Sequence, residues 1–316
     1  MSQLGKPDDQ YVRARRALPD AAIALDDHLD AVVLVGAQAL YLHTGDADLA
    51  VAEFTTDADL VIHPNDIADD PLIADLLEPV GFSKDQQPGQ WLSPDRCRVD
   101  LMVPEQLAGS GTRGAALGAH GRHTARRARG LEATLVDCQR ATIKALDPVD
   151  ARSVEMNVAG PGALLVAKVH KIADRSTTPD RLSDKDALDV LRLLQCVPIA
   201  EFTSRIQRLQ AHKLSGDVTD EAILHMGSLF GTNESVGVGM AVRAAVPLES
   251  ADVIASSITI LARDLLEELN AGTRRKRPTS FAAWRSRSGS GSCTTSAARR
   301  AATSPCRRSM PRRSSR

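Results

Sequence analysis

The sequence predicts an α/β (α+β) chain: a mixed strand–helix region over residues 1–159, a helical region over 160–272 and a basic tail over 273–316. Three observations carry this. Short apolar, β-branched runs such as Ala31–Val35 alternate with helical spacing in the first half. Gly160-Pro161-Gly162 marks a boundary, after which the apolar spacing is helical throughout. From Thr273 onward there are 13 Lys and Arg and no acid. Taking those 13 from the chain's 39 basic residues leaves 26 against 40 acids, so a body at −14 carries a basic tail.

A length of 316 residues is ample for a large core and suggests two domains. The 43% hydrophobic and 25% charged composition is that of a globular protein. Aromatic residues are only 3%, which argues against a base-stacking surface. No apolar run is long enough to span a bilayer and no amino-terminal signal pattern is visible, so a cytoplasmic location without membrane contact is expected. Five scattered cysteines without a CxxC pair read as reduced thiols.

In chain order, Pro19 to Leu29 has helical spacing, with the proline in the first turn. Ala31–Val35 suits a buried strand. Gly36 follows, then a short helix over Gln38–His43. A glycine there lets backbone approach a ligand, or simply makes a tight turn. Residues 46–56 read as a loop and Ala58–Ile62 as a strand, with Asp57 and Asp59 at its start. Side chains two apart on a strand share a face, so two carboxylates are held close. A hard divalent cation relieves their repulsion, and oxygen ligands suit magnesium.

Asp66–Leu77 has the spacing of a helix, and Gln90–Ser93 with Arg96–Val103 that of a hairpin. Asp100 lies in the second strand of that hairpin, as an outward edge carboxylate or as a partnered buried one. Residues 104–130 read as a basic loop, with Arg113, Arg122, Arg126, Arg127 and Arg129 and no acid from Gln106 to Leu131. It is a candidate phosphate-contacting surface, or a solvated charged loop. Strands are expected at 131–136, 142–146 and 154–158.

Beyond the boundary, Ala163–Arg175 is a helix with Lys168, Lys171 and Arg175 on one stripe. Residues 179–183 form a loop, and Ser183 can cap a helix over Asp184–Leu194. Asp184 and Asp186 fall in its first turn, where acids also stabilise the helix dipole. Further helices are expected near 199–213, 219–230 and 249–270, with a glycine-rich separator over 227–239. The tail is too poor in apolar residues to offset its ordering entropy and is expected to be disordered.

The order strand–glycine–helix, Asp-x-Asp, a later strand aspartate and a helical region with Lys and Asp resembles the nucleotidyltransferase superfamily that includes DNA polymerase β. Within it the chain is most similar to AbiEii-like and MenT-like toxins. The resemblance covers about residues 20–200. It implies a mixed-sheet catalytic domain over 1–159 and a helical domain over 160–272. It also implies a triphosphate lined by Gly36 and Ala37, a hydroxyl contact from Thr55, and Mg²⁺ on Asp57, Asp59 and Asp100. Lys168 and Arg175 match a KLxALxxR-like helix, and Lys185-Asp186 with Asp189 an RDxxDL-like segment. Lys168 and Asp186 are thereby implied in catalysis, and Lys171, Arg175 and Lys185 in nucleotide binding.

Two departures stand out. Ala37 replaces a glycine or serine, so a phosphate-binding hydroxyl is missing, and Lys185 replaces an arginine. The resemblance implies transfer of a nucleoside monophosphate from an NTP to a hydroxyl, on the 3′ end of tRNA, a protein or a small molecule. It also implies a neutralising antitoxin protein as partner. A catalytically silent nucleotide- or partner-binding module of the same fold is the alternative. A metal-dependent phosphohydrolase has no HD pair or histidine cluster to support it. His43, His63, His120 and His170 read as surface or core residues.

Overall fold

The structure, a computed structural model, describes residues 9–45, 55–147, 149–176, 183–245 and 249–276. Most of the expected 46–56 loop, residues 179–182 and the basic tail beyond 276 lie outside these.

The first half builds one mixed sheet. Its strands are β1 (Val32–Val35), β2 (Asp57–Ile62), β3 (Ser83–Lys84), β4 (Gln90–Leu92), β5 (Arg98–Pro104), β6 (Arg126–Ala128), β7 (Cys138–Lys144) and β8 (Ser153–Ala159). Their order is β3-β4-β5-β2-β1-β8-β7, with β6 beside the later part of β5. β1 lies centrally, antiparallel to β2 and parallel to β8. All four of its residues are buried, as the unbroken apolar run Val32–Val35 requires. β2 and β5 run parallel, with Asp57 opposite Arg98 and Asp59 opposite Asp100. That register sets the acids of two remote segments side by side on one face.

Helix α1 (Asp9–Ala24) lies against β2, β5 and β8, and α2 (Gly36–Thr44) leaves β1 directly. A short helix α3 (Ile73–Leu77) precedes β3. β8 ends at Ala159 and α4 (Pro161–Ser176) begins at once, so the change to all-helical structure falls at the glycine–proline–glycine boundary. Then come α5 (Asp184–Cys196), α6 (Ile199–Ala211), α7 (Gly216–Phe230), α8 (Val236–Ala245) and α9 (Ala251–Lys276). α5 packs on α2, α4 and α8, tying the helices to the sheet region, and residues 1–274 form one compact unit. No helix among the described residues is long and apolar enough to cross a membrane.

Several elements differ from the sequence reading. The first helix begins ten residues early, with Pro19 inside it, and residues 26–31 turn as a 3-10 helix. The helix expected over 66–77 shrinks to 73–77, because Pro71 has no N–H to continue a helical ladder. The strand expected at 131–136 is a 3-10 turn over 132–135, and the next strand starts at Cys138 instead of Thr142. β6 lies within the expected basic loop. α8 forms inside the expected glycine-rich separator. Its Gly237 sits against the Phe230 ring, where a Cβ would clash, so the glycine serves close helix packing. α9 continues to Lys276, through the first residues of the expected tail.

Candidate active site

Gly36 ends the buried strand β1 and opens α2 with φ of 69°, a backbone conformation that side chains disfavour. Its missing side chain has a specific use. A Cβ at residue 36 would collide with Oδ2 of Asp59. The glycine therefore lets the Asp59 carboxylate settle at the start of α2, where the helix dipole favours negative charge. Gln38, two residues on, is buried and donates to the backbone oxygens of Asp57 (2.9 Å) and Ala14 (3.2 Å). It pins the strand start that carries both aspartates. Thr55 is buried and donates its hydroxyl to Asp57 Oδ1.

Asp100 enters the same place from β5. It is buried, and Arg126 from β6 reaches its Oδ2 at 3.1 Å. Its other oxygen, Oδ1, is buried without a hydrogen-bond partner among the described residues. Burial raises the Asp100 carboxyl above its ordinary range, against the pull of Arg126. Asp59 is pushed up to about 6 by burial and by the charges of Asp57 and Asp100. Three acids that repel one another, with one orphaned oxygen among them, fit a hard divalent cation with oxygen ligands.

A second ionic cluster faces the first from the helices. Lys168 on α4 is buried and donates to Asp186 Oδ1 at 2.8 Å and Asp189 Oδ2 at 2.6 Å, both on α5. Lys171 and Arg175, the rest of the stripe, reach Asp186 at 2.9 and 3.5 Å. Burial alone would lower the Lys168 ammonium, but Asp189 and Asp186 overcome it and hold the charge firmly. Burial would likewise raise Asp186, yet Lys168 and Lys171 drive it well below the usual carboxylate range. Asp186 is thus a poor proton acceptor, and the geometry makes it an anchor for three cations. Lys185 is pushed down by burial.

Between the clusters lies a cleft of about 860 Å³. It is lined by Ala37, Thr55, Asp57, Asp59, Asp100, Lys168, Lys171, Arg175, Lys185 and Asp186, which are the residues the resemblance singled out apart from Gly36 and Asp189. Gly36 lines the adjoining cavity with Asp59, Lys168, Lys171 and Arg175. The sequence did not single out Gln38 or Arg98, and it left Arg126 among a group of loop arginines. Gln38 acts through backbone oxygens and leaves no motif. Arg98 stands two residues before Asp100 on β5 and meets Asp57 only through strand pairing, and Arg126 is brought to Asp100 by the pairing of β6 with β5.

Away from this cleft, His170 on α4 meets Glu221 and His225 of α7, with one ligand-type atom from each within 4.8 Å of the others. The sequence reading found no histidine cluster, because these residues lie about fifty positions apart. Compared with family models, curated proteins and solved structures, the chain has no match.

Proposed function

We propose that this protein is a magnesium-dependent nucleotidyltransferase, moving a nucleoside monophosphate from an NTP to a hydroxyl on tRNA or protein. The supporting observation is the convergence of Asp57, Asp59 and Asp100 from two strands on one cleft, opposite Lys171, Arg175 and Lys185. Its volume is in the range that encloses small ligands, roughly 300–1,000 Å³. Eight cationic side chains against four carboxylates in the lining suit a polyanionic ligand such as a triphosphate.

Asp57, Asp59 and Asp100 would hold the magnesium. When bound, it supplies Lewis-acid stabilisation of charge on the phosphoryl oxygens. Lys171, Arg175 and Lys185 offer fixed positive charge to the phosphate chain. Ala37 brings only backbone to the N-terminus of α2, where N–H groups receive phosphate oxygens. The acceptor oxygen forms a bond to the α-phosphorus, the bond to the β-phosphate bridge breaks, and pyrophosphate leaves. The acceptor's proton passes to the Asp100 carboxylate, which lies in the same cleft. Asp100 suits this better than Asp186, because burial raises the first and lysines depress the second.

Arg98, Arg113, Arg126 and Arg127 on the cleft's rim favour a nucleic-acid acceptor. A toxin role, with an antitoxin protein covering the cleft, follows from the same resemblance and belongs to this reading. The test is incubation with each labelled NTP, magnesium and total RNA. Label transfer with pyrophosphate release, lost in Asp57→Ala with Asp59→Ala, is expected. Transfer that survives the double substitution overturns the reading. Magnesium-dependent NTP binding without pyrophosphate release identifies a silent binding module instead.

A further inference from the structure

We propose that His170, Glu221 and His225 form a site for a borderline transition-metal ion of the Zn²⁺ class, separate from the acidic cleft. Glu221 and His225 stand four apart on α7, so both project from one helix face. His170 comes from α4, the helix that carries Lys168 and Lys171. Two imidazoles and one carboxylate are a recurrent ligand set for zinc, and imidazole nitrogen disfavours magnesium.

The surroundings of His170 are those of a prepared ligand. Its Nε2 lies 2.7 Å from the Val218 backbone oxygen, so that nitrogen carries the hydrogen and donates. This leaves Nδ1 with its lone pair, buried and without a hydrogen-bond partner among the described residues. Metal-bound histidines typically fix their tautomer by such a bond to a carbonyl. The ring is 1% exposed and closed on another side by Gly130, where any Cβ would strike it. That close approach places Arg129 next door, and its guanidinium holds Glu221 at 2.9 and 2.7 Å. The arginine orients the carboxylate, as an outer hydrogen-bond donor to a ligating acid does.

His225 Nε2 lies 3.6 Å from Glu221 Oε1, and the two rings meet edge to face at 5.7 Å between centroids. Bonds of about 2.0–2.2 Å need the three ligand atoms to draw in from the 4.8 Å within which they stand. Glu221 and His225 are half-buried, and a small turn of His225 toward the carboxylate that Arg129 holds would bring the atoms together. The ion would clamp α4 to α7 beside the lysine stripe. None of this depends on phosphoryl transfer, so the site and the proposed activity stand or fall separately.

The test uses the full chain, stripped with a chelator and titrated with Zn²⁺ and Co²⁺ in excess magnesium, which occupies the acidic cleft. One equivalent of Zn²⁺ is expected, with a rise in melting temperature and visible Co²⁺ absorption of a four- or five-coordinate site. His225→Ala is expected to weaken binding by more than roughly 100-fold while leaving the metal-free melting temperature close to that of the parent. Glu221→Gln gives an independent second variant should the first fold poorly. No saturable binding in excess magnesium, or unchanged binding in both variants, overturns the proposal.

Discussion

The two ionic clusters that face each other across the cleft are opposites. On the sheet, Asp57, Asp59 and Asp100 gather like charges and only Arg126 answers them directly. On the helices, Asp186 and Asp189 share Lys168, with Lys171 on the same Asp186 oxygen and Arg175 on the other. The first, open cluster is dominated by mutual repulsion. In the second, closed cluster each acid faces a cation, although Asp186 Oδ2 and Asp189 Oδ1 are buried without a hydrogen-bond partner among the described residues and meet only Arg175 and Arg192, at 3.5 and 3.7 Å. A fold tolerates the first only where a ligand completes it, whereas the second can hold its geometry alone. The contrast separates the proposed binding residues from those that position, although Asp100, Asp186 and Asp189 are all buried aspartates.

The largest effect is expected from breaking the closed cluster. Lys168→Met leaves Asp186 with Lys171 at 2.9 Å and Arg175 at 3.5 Å, but strips Asp189 of its close partner and leaves it Arg192 at 3.7 Å. Loss of about 3–5 kcal/mol of stability is expected, as for other buried pairs stripped of one partner. Urea unfolding measures it, and adding Asp189→Asn should recover part of the loss. A Lys168→Met protein as stable as the parent would mean that the cluster is not the anchor described.

The open cluster should respond in the opposite direction. Asp59→Asn removes one of three repelling charges, so the metal-free protein is expected to gain roughly 1–2 kcal/mol at neutral pH, less than the full pKa shift implies. The same substitution should abolish magnesium-dependent stabilisation and activity. The sign follows from linkage. Asp59 holds its proton up to about pH 6 when folded, against 3.8 ordinarily. Between those values the folded state binds more protons, so its stability falls as pH rises. The gain from Asp59→Asn should thus be near zero at pH 4 and complete above about pH 6. Asp186 runs the other way: its depressed value gives stability that is present above its ordinary range and lost as pH falls below it. An Asp186→Asn variant should lose its disadvantage only in strong acid.

The sequence showed the open cluster better than the closed one. Asp57 and Asp59 announce themselves by spacing two apart on a strand, and Gly36 by following an apolar run. Asp100 was ambiguous, since strand periodicity does not tell a central strand from an edge. Only pairing of β2 with β5 decided it. The stripe of Lys168, Lys171 and Arg175 was also legible, but its partners were not. That Lys168 spends its charge on Asp186 and Asp189 depends on how α4 packs against α5, which helical spacing leaves open. The missed elements share a cause. β6 is three residues among arginines, and α8 carries glycines that local propensity counts against a helix. Tertiary packing overrode propensity in both. The histidine–glutamate cluster escaped notice for the same reason, as contacts between remote helices leave no local pattern.

The smallest expected effect sharpens the comparison most. Arg126 is the one cation bonded to the open cluster, at 3.1 Å from Asp100 and about one-third exposed. Arg126→Gln should cost about 1 kcal/mol in the metal-free protein, below the roughly 1.5–3 kcal/mol of a hydrogen bond to a buried charged group because solvent screens the partly exposed arginine. It should also push the Asp100 carboxyl further up, since its main counter-charge is gone. Saturating magnesium supplies that counter-charge from another direction. The cost should therefore shrink below about 0.5 kcal/mol when thermal or urea unfolding is repeated with the metal, because a surrogate cation is redundant once the ion is bound. A penalty of equal size with and without magnesium would make Arg126 a packing residue. The same result would leave Asp100 outside the metal's reach, and the three acids would no longer act as one site.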